Sequence, residues 1–197
     1  MNSALIINTL RGVFAQPPPG FRPGVTLEHA LAELPAGLAV ATTGASSAIL
    51  RTTDGGLECA VRERVERHFL MHIVALEFEM NVPAAALPGG RIEVRNTGIL
   101  FRTGIACTVP GKQRTALQAV TERIEADQAL HRALMNLNFR HCTLVGSAEG
   151  WSVRLEPYGA SEVVNRRPAF RRYIRLGREQ ADALVTALGA FSRILGA

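Results

Sequence analysis

Two histidines four residues apart, His68 and His72, precede two glutamates, Glu77 and Glu79. Imidazole and carboxylate are the side chains that bind zinc or move protons. Zinc proteases, however, place a glutamate directly after the first histidine as the base for metal-bound water, and here that position is Phe69. No third ligand stands at a recognisable spacing, so the expectation is no metal. A serine elbow needs G-x-S-x-G, and the window Gly44-Ala45-Ser46-Ser47-Ala48 lacks its second glycine. It reads as a turn. Gly55-Gly56 and Gly89-Gly90 are followed by no GK[ST], and Gly111-Lys112-Gln113 reads as a helix start rather than a phosphate loop. No motif implies a cofactor, and the reading leans away from an enzyme.

The chain has 197 residues and a net charge of +5, and 21 of its 22 basic residues are arginine. Guanidinium forks pair with phosphate or carboxylate in two-bond geometry. The densest run is Arg166, Arg167, Arg171, Arg172, Arg175 and Arg178. On an extended strand Arg171, Tyr173 and Arg175 share one face, which makes them candidate ligand contacts together with nearby Arg154 and Tyr158. The three cysteines, Cys59, Cys107 and Cys142, are widely spaced with no CxxC, as expected of free thiols in a reducing compartment. The apolar run Ala4–Ile7 is too short for a secretory leader and no basic residue precedes it. A cytoplasmic protein with no membrane span is expected.

These residues must be positioned by a sheet-rich fold. Four prolines in residues 15–25 make a linker, so residues 1–25 read as an N-terminal segment, 26–90 as a first half and 91–197 as a second. In the first half, Thr26 is the expected cap of a helix bearing Leu27, Ala30, Leu31 and Leu34. Strands are expected at 38–43, 47–53 and twice within 57–80, then about Thr97-Gly98 at 91–96 and 99–109. A long helix at 113–138 follows, with Asp127 able to start a new segment. Strands at 140–146, 151–157, 160–165 and 170–176 lead to an amphipathic helix at 178–195. The fold class is α+β: a curved, mainly antiparallel sheet packed by a long helix and a C-terminal helix.

Residues 27–64 match 130–167 at an offset of 103, with 9 identities in 38 positions. LEHALAEL and LHRALMNL share L-x-x-A-L-x-x-L, and Arg51 falls on Arg154. An internal duplication would put one anion-anchoring arginine in each half. The element order over 99–195 resembles the TATA-box-binding-like and helix-grip folds. YGASEVVN at 158–165 followed by FRRYIRL at 170–176 resembles an uncharacterised bacterial family of unknown function, which implies no activity.

The function expected is noncatalytic binding or assembly. A partly apolar or anionic small ligand would lie between sheet and helices, with Arg51, Arg154, Tyr158, Arg171, Tyr173 and Arg175 as contacts, or a protein partner would dock. Nucleic-acid binding through an arginine-rich sheet face, or an enzyme with an unrecognised site, stand second. The 11 aromatic residues (8 Phe, 2 Tyr, 1 Trp) do not favour a base-stacking platform.

Overall fold

The structure, a computed structural model, describes residues 17–35, 37–84, 89–98 and 103–196. The Ala4–Ile7 run, part of the break at 81–90 and the start of the strand expected at 99–109 lie outside these residues.

Alternating side chains build the strands. In β4 (Met71–Pro83), His72, Val74, Leu76, Phe78, Met80 and Val82 are buried, while Glu77 and Glu79 point the other way. The same alternation runs through β3 (Glu58–Arg67) and β8 (Gly150–Pro157), where Trp151, Val153 and Leu155 enter the core. With β1 (Leu38–Thr43), β2 (Ser47–Thr52), β5 (Gly90–Thr97), β6 (Gly104–Thr108) and β7 (Phe139–Ser147), the sheet order is β1-β2-β3-β4-β8-β7-β5-β6. All neighbours are antiparallel and the sheet does not close. β9 (Ser161–Arg166) pairs the first half of β4, and β10 (Ala169–Ile174) pairs β9 as a further edge. The expected halves 26–90 and 91–197 thus share one sheet.

The helices cover one face. α1 (Val25–Leu31) packs on β3 and β4; α2 (Arg114–Ala126) packs on β5 and β6; α3 (Gln128–Leu137) and α4 (Arg178–Leu195) pack on each other, with α4 also reaching β4. The expected long helix is divided at Asp127, whose extended backbone ends α2 and whose carboxylate accepts the Leu130 amide at 2.8 Å to cap α3. Leu130, Leu134 and Leu137 are fully buried against α4, which buries Leu184, Leu188 and Phe191. The space between helices and sheet is therefore filled by side chains.

Thr26 is not a cap. α1 begins earlier, after Gly24, and its first amides are met from another element: Glu63 on β3 accepts from Gly24 N at 2.8 Å and Leu27 N at 3.0 Å. Gly24 has φ +85°, and a Cβ there would lie 2.4 Å from the Ala45 carbonyl oxygen, so that position excludes any larger residue. The proline-rich segment is docked rather than loose. Pro18 is buried, and Arg171 donates to the Gly20 carbonyl.

The 103-residue offset pairs elements of one type, β1 with β7, β2 with β8 and β3 with β9, but their assembly differs. β2 and β3 form a hairpin, whereas β8 and β9 lie end to end along β4. Their corner at Tyr158–Ala160 carries Ala160 at φ 54°. α1 rests on its own strands, while α3 rests on α4 and β6.

Candidate functional site

The face opposite the helices is charged. Cross-strand partners share a face, so the register puts Arg62 beside Glu77, Glu79 beside Arg154, Arg154 beside Thr143, Thr143 beside Glu93 and His141 beside Glu156. Ion pairs run across this lattice. Arg62 lies 2.5 Å from Glu77, Arg154 lies 3.0 Å from Glu79, and Arg95 lies 2.5 Å from Glu93. Most of these pairs are half in water and hold little energy individually.

One position is different. Glu156, at the end of β8, is only 1% exposed. Its Oε2 accepts from Arg64 Nε at 2.9 Å. Arg140 lies 3.3 Å from Oε1 without hydrogen-bond geometry, so that buried oxygen has no hydrogen-bond partner. Arg64 and Arg140 also hold Glu66, Arg140 at 2.5 Å. Burial raises the Glu66 carboxyl, but bonding to Arg140 and the charge of Arg64 outweigh this and hold it below the usual carboxylate range.

A cleft of about 260 Å³ opens over this point, lined by Arg64, Glu77, Arg91, His141, Thr143, Arg154 and Glu156. Arg91 and Arg154 are 55% and 43% exposed, so their forks face both the sheet carboxylates and the cleft. A guanidinium has five N–H donors, more than one carboxylate uses. The cleft therefore offers cationic donors along its walls, with the carboxylates of Glu77 and Glu156 among its lining.

Among the described residues, the donor atoms of Glu66, His141 and Glu156 lie within 4.8 Å of one another, a grouping that could hold a metal ion. Both carboxylates are already spanned by Arg64 and Arg140, and a cation there would have to displace two guanidiniums. The histidine and glutamate set weighed from the sequence is not assembled. His68 sits exposed in the β3–β4 turn, His72 is buried on the helix face, and Glu77 and Glu79 are on the opposite face.

The other sequence candidates fall in three places. Arg154 lines the cleft. Arg51 is on β2, exposed and 2.6 Å from Glu58, away from the cleft. Tyr158, in the β8–β9 corner, has its ring 6.0 Å from the Arg140 guanidinium. Arg171, Tyr173 and Arg175 form a clasp on the helix side. Arg171 bonds Glu162 at 2.7 Å, and Glu33 accepts from Tyr173 at 3.1 Å, Arg175 at 2.7 Å and the Leu176 amide at 2.9 Å. Burial, then the Glu33 charge, pushes the Tyr173 phenol up. Arg175 also borders a larger groove of about 850 Å³ between the ends of α1 and β10, but Glu33 there already accepts three bonds.

The chain belongs to a family of proteins of unknown function, DUF3156. The family's model matches residues 32–195, which takes in every described strand and the cleft. No curated protein and no solved structure matches the chain. The family assignment agrees with the resemblance carried by residues 158–176 and brings no activity with it.

Sequence reasoning missed Glu66, Arg91, Arg140, His141 and Thr143 as a group. The available signal was the alternation in WSVRLEP and ECAVRERVER, which sets charged residues opposite a core face. The strand order needed to bring them together is not in that signal.

Burial pushes the Cys59 and Cys107 thiols up to about 12, and Cys142 higher still. All three are free, and as thiols with raised pKa values they are poor nucleophiles.

Proposed function

We propose that this protein is a noncatalytic binding protein whose ligand is a small organic anion that also carries a hydroxyl or amino donor. The observation that carries this reading is the cleft of about 260 Å³ walled by the half-exposed Arg91 and Arg154. The ligand's anionic group meets Arg91 and Arg154, and its donor meets the carboxylates that line the cleft, Glu77 first. A volume of about 260 Å³ is below the roughly 300–1,000 Å³ of pockets for drug-sized ligands, which favours a metabolite-sized molecule. The site lies on the open sheet face rather than between sheet and helices, where side chains fill the space.

Nucleic-acid binding draws less support, because Arg171, Tyr173 and Arg175 are engaged by Glu162 and Glu33. Three free thiols favour a reducing, cytoplasmic location.

The test is calorimetric titration of small hydroxy-carboxylates, amino acids and phosphate monoesters. At least one class should bind saturably, and Arg154→Gln should weaken it about tenfold or more, the value of a lost charge-assisted hydrogen bond. No binding by any class, or equal binding by Arg154→Gln and Arg91→Gln, would overturn the reading.

A further inference from the structure

Phe69 is 92% exposed and Leu70 47% exposed. They are the two tip residues of the β3–β4 turn, closed by His68 N bonding the Met71 carbonyl at 2.8 Å. The β9–β10 turn lies directly beside it, since Arg166 N bonds the Leu70 carbonyl at 2.8 Å. That second turn presents Arg166 and Arg167, and β10 continues with exposed Phe170 and Arg172. Met71, Asn165 and Phe170 form one cross-strand row on the open face, so the apolar tip extends onto the sheet. None of Arg166, Arg167 and Arg172 is in ion-pair contact with a carboxylate among the described residues, and neither 67–73 nor 163–175 contains an acidic residue. This contrasts with the arginine–glutamate pairing across the rest of the face.

We propose that these paired turns are a docking tip for an anionic lipid surface, independent of the cleft. An exposed phenylalanine and leucine on a tight turn gain by entering the acyl boundary, and a rim of unpaired arginines is drawn to acidic headgroups. Each arginine near such a surface contributes about fivefold in partitioning. Both contributions come from one end of the molecule, so the protein would sit on the bilayer by its turns and leave the cleft open.

The full chain is sedimented with vesicles of equimolar phosphatidylglycerol and phosphatidylcholine, and with phosphatidylcholine alone. Binding is expected only to the anionic vesicles. Phe69→Ser with Leu70→Ser, and separately Arg166→Gln with Arg167→Gln, should each reduce it at least tenfold. Circular dichroism should show unchanged melting, because all four residues are exposed. Phe69→Trp should shift its emission to the blue on adding anionic vesicles. Absence of sedimentation, equal binding to neutral vesicles, or binding unchanged in the Phe69/Leu70 variant would overturn the proposal. So would arginine-dependent binding to an oligonucleotide without binding to vesicles, or self-association of the wild type that the Phe69/Leu70 variant loses.

Discussion

Adjacent residues on α4 should respond in opposite directions to the same substitution. Leu188 is 1% exposed on the buried face of α4, the helix that packs on α3. Leu188→Ala removes three carbon groups at about 0.8 kcal/mol each, roughly 2.4 kcal/mol of transfer free energy. The cavity adds to this, because Leu184, Ala187 and Phe191 around it on the same face of α4 are fully buried and α4 is packed against α3. The total is about 3–5 kcal/mol. For a chain of this size each kcal/mol lowers Tm by about 2–4 °C, so a fall on the order of 10 °C is expected. Gly189, the next residue, is exposed in the helix interior, and a Cβ there would meet nothing within 4 Å. Gly189→Ala should stabilise by about 0.5–1 kcal/mol through lower backbone entropy in the unfolded chain. Both are read from guanidinium unfolding curves with matched slopes. If Leu188→Ala cost under 1 kcal/mol, or if both substitutions moved stability the same way, α4 would not pack as described.

The acid limb of stability should depend on His72. Burial, then the charges of Arg171 and Arg166, holds its imidazole below the usual histidine range, and neither ring nitrogen has a hydrogen-bond partner. The fold therefore favours the neutral form. This stability is complete above pH about 6.5 and is lost as pH falls through the lowered native pKa. Unfolding midpoints measured from pH 8 to 5 should fall, and His72→Leu should flatten that limb without loss at pH 8. Glu33→Gln should cost about 1–3 kcal/mol by weakening the clasp that joins α1 to β10, measured by denaturant unfolding. Asp127→Ala should cost about 1 kcal/mol by removing the α3 cap, and calorimetric melting would detect it.

Local signals carried most of the elements. The i, i+3, i+4 spacing from Ala181 to Leu195 matches α4, and Asp127 marked the α2–α3 break because its carboxylate serves a nearby amide. Partners distant in the chain were not legible. Thr26 reads as a cap, yet the capping oxygens come from Glu63, 36 positions from Leu27. Arg171, Tyr173 and Arg175 share a face as the alternation requires, but each is held there by Glu162 or Glu33, carboxylates distant or unassigned in the sequence pattern. The cleft depends on β4 lying between β3 and β8, so that Arg64 meets Glu156 across 92 positions. Alternation tells which side of a strand a residue occupies and nothing about which strand lies alongside.

Side-chain NMR reads occupancy of the cleft residue by residue. Arginine Nε–H resonances are followed while a ligand that binds in calorimetry is added. Saturable shifts are expected, confined to Arg64, Arg91 and Arg154 together with the His141 ring, with those of Arg91 and His141 weakened in Arg154→Gln. Small unsaturating shifts spread evenly over exposed arginines such as Arg22, Arg51 and Arg178 would contradict the proposed binding.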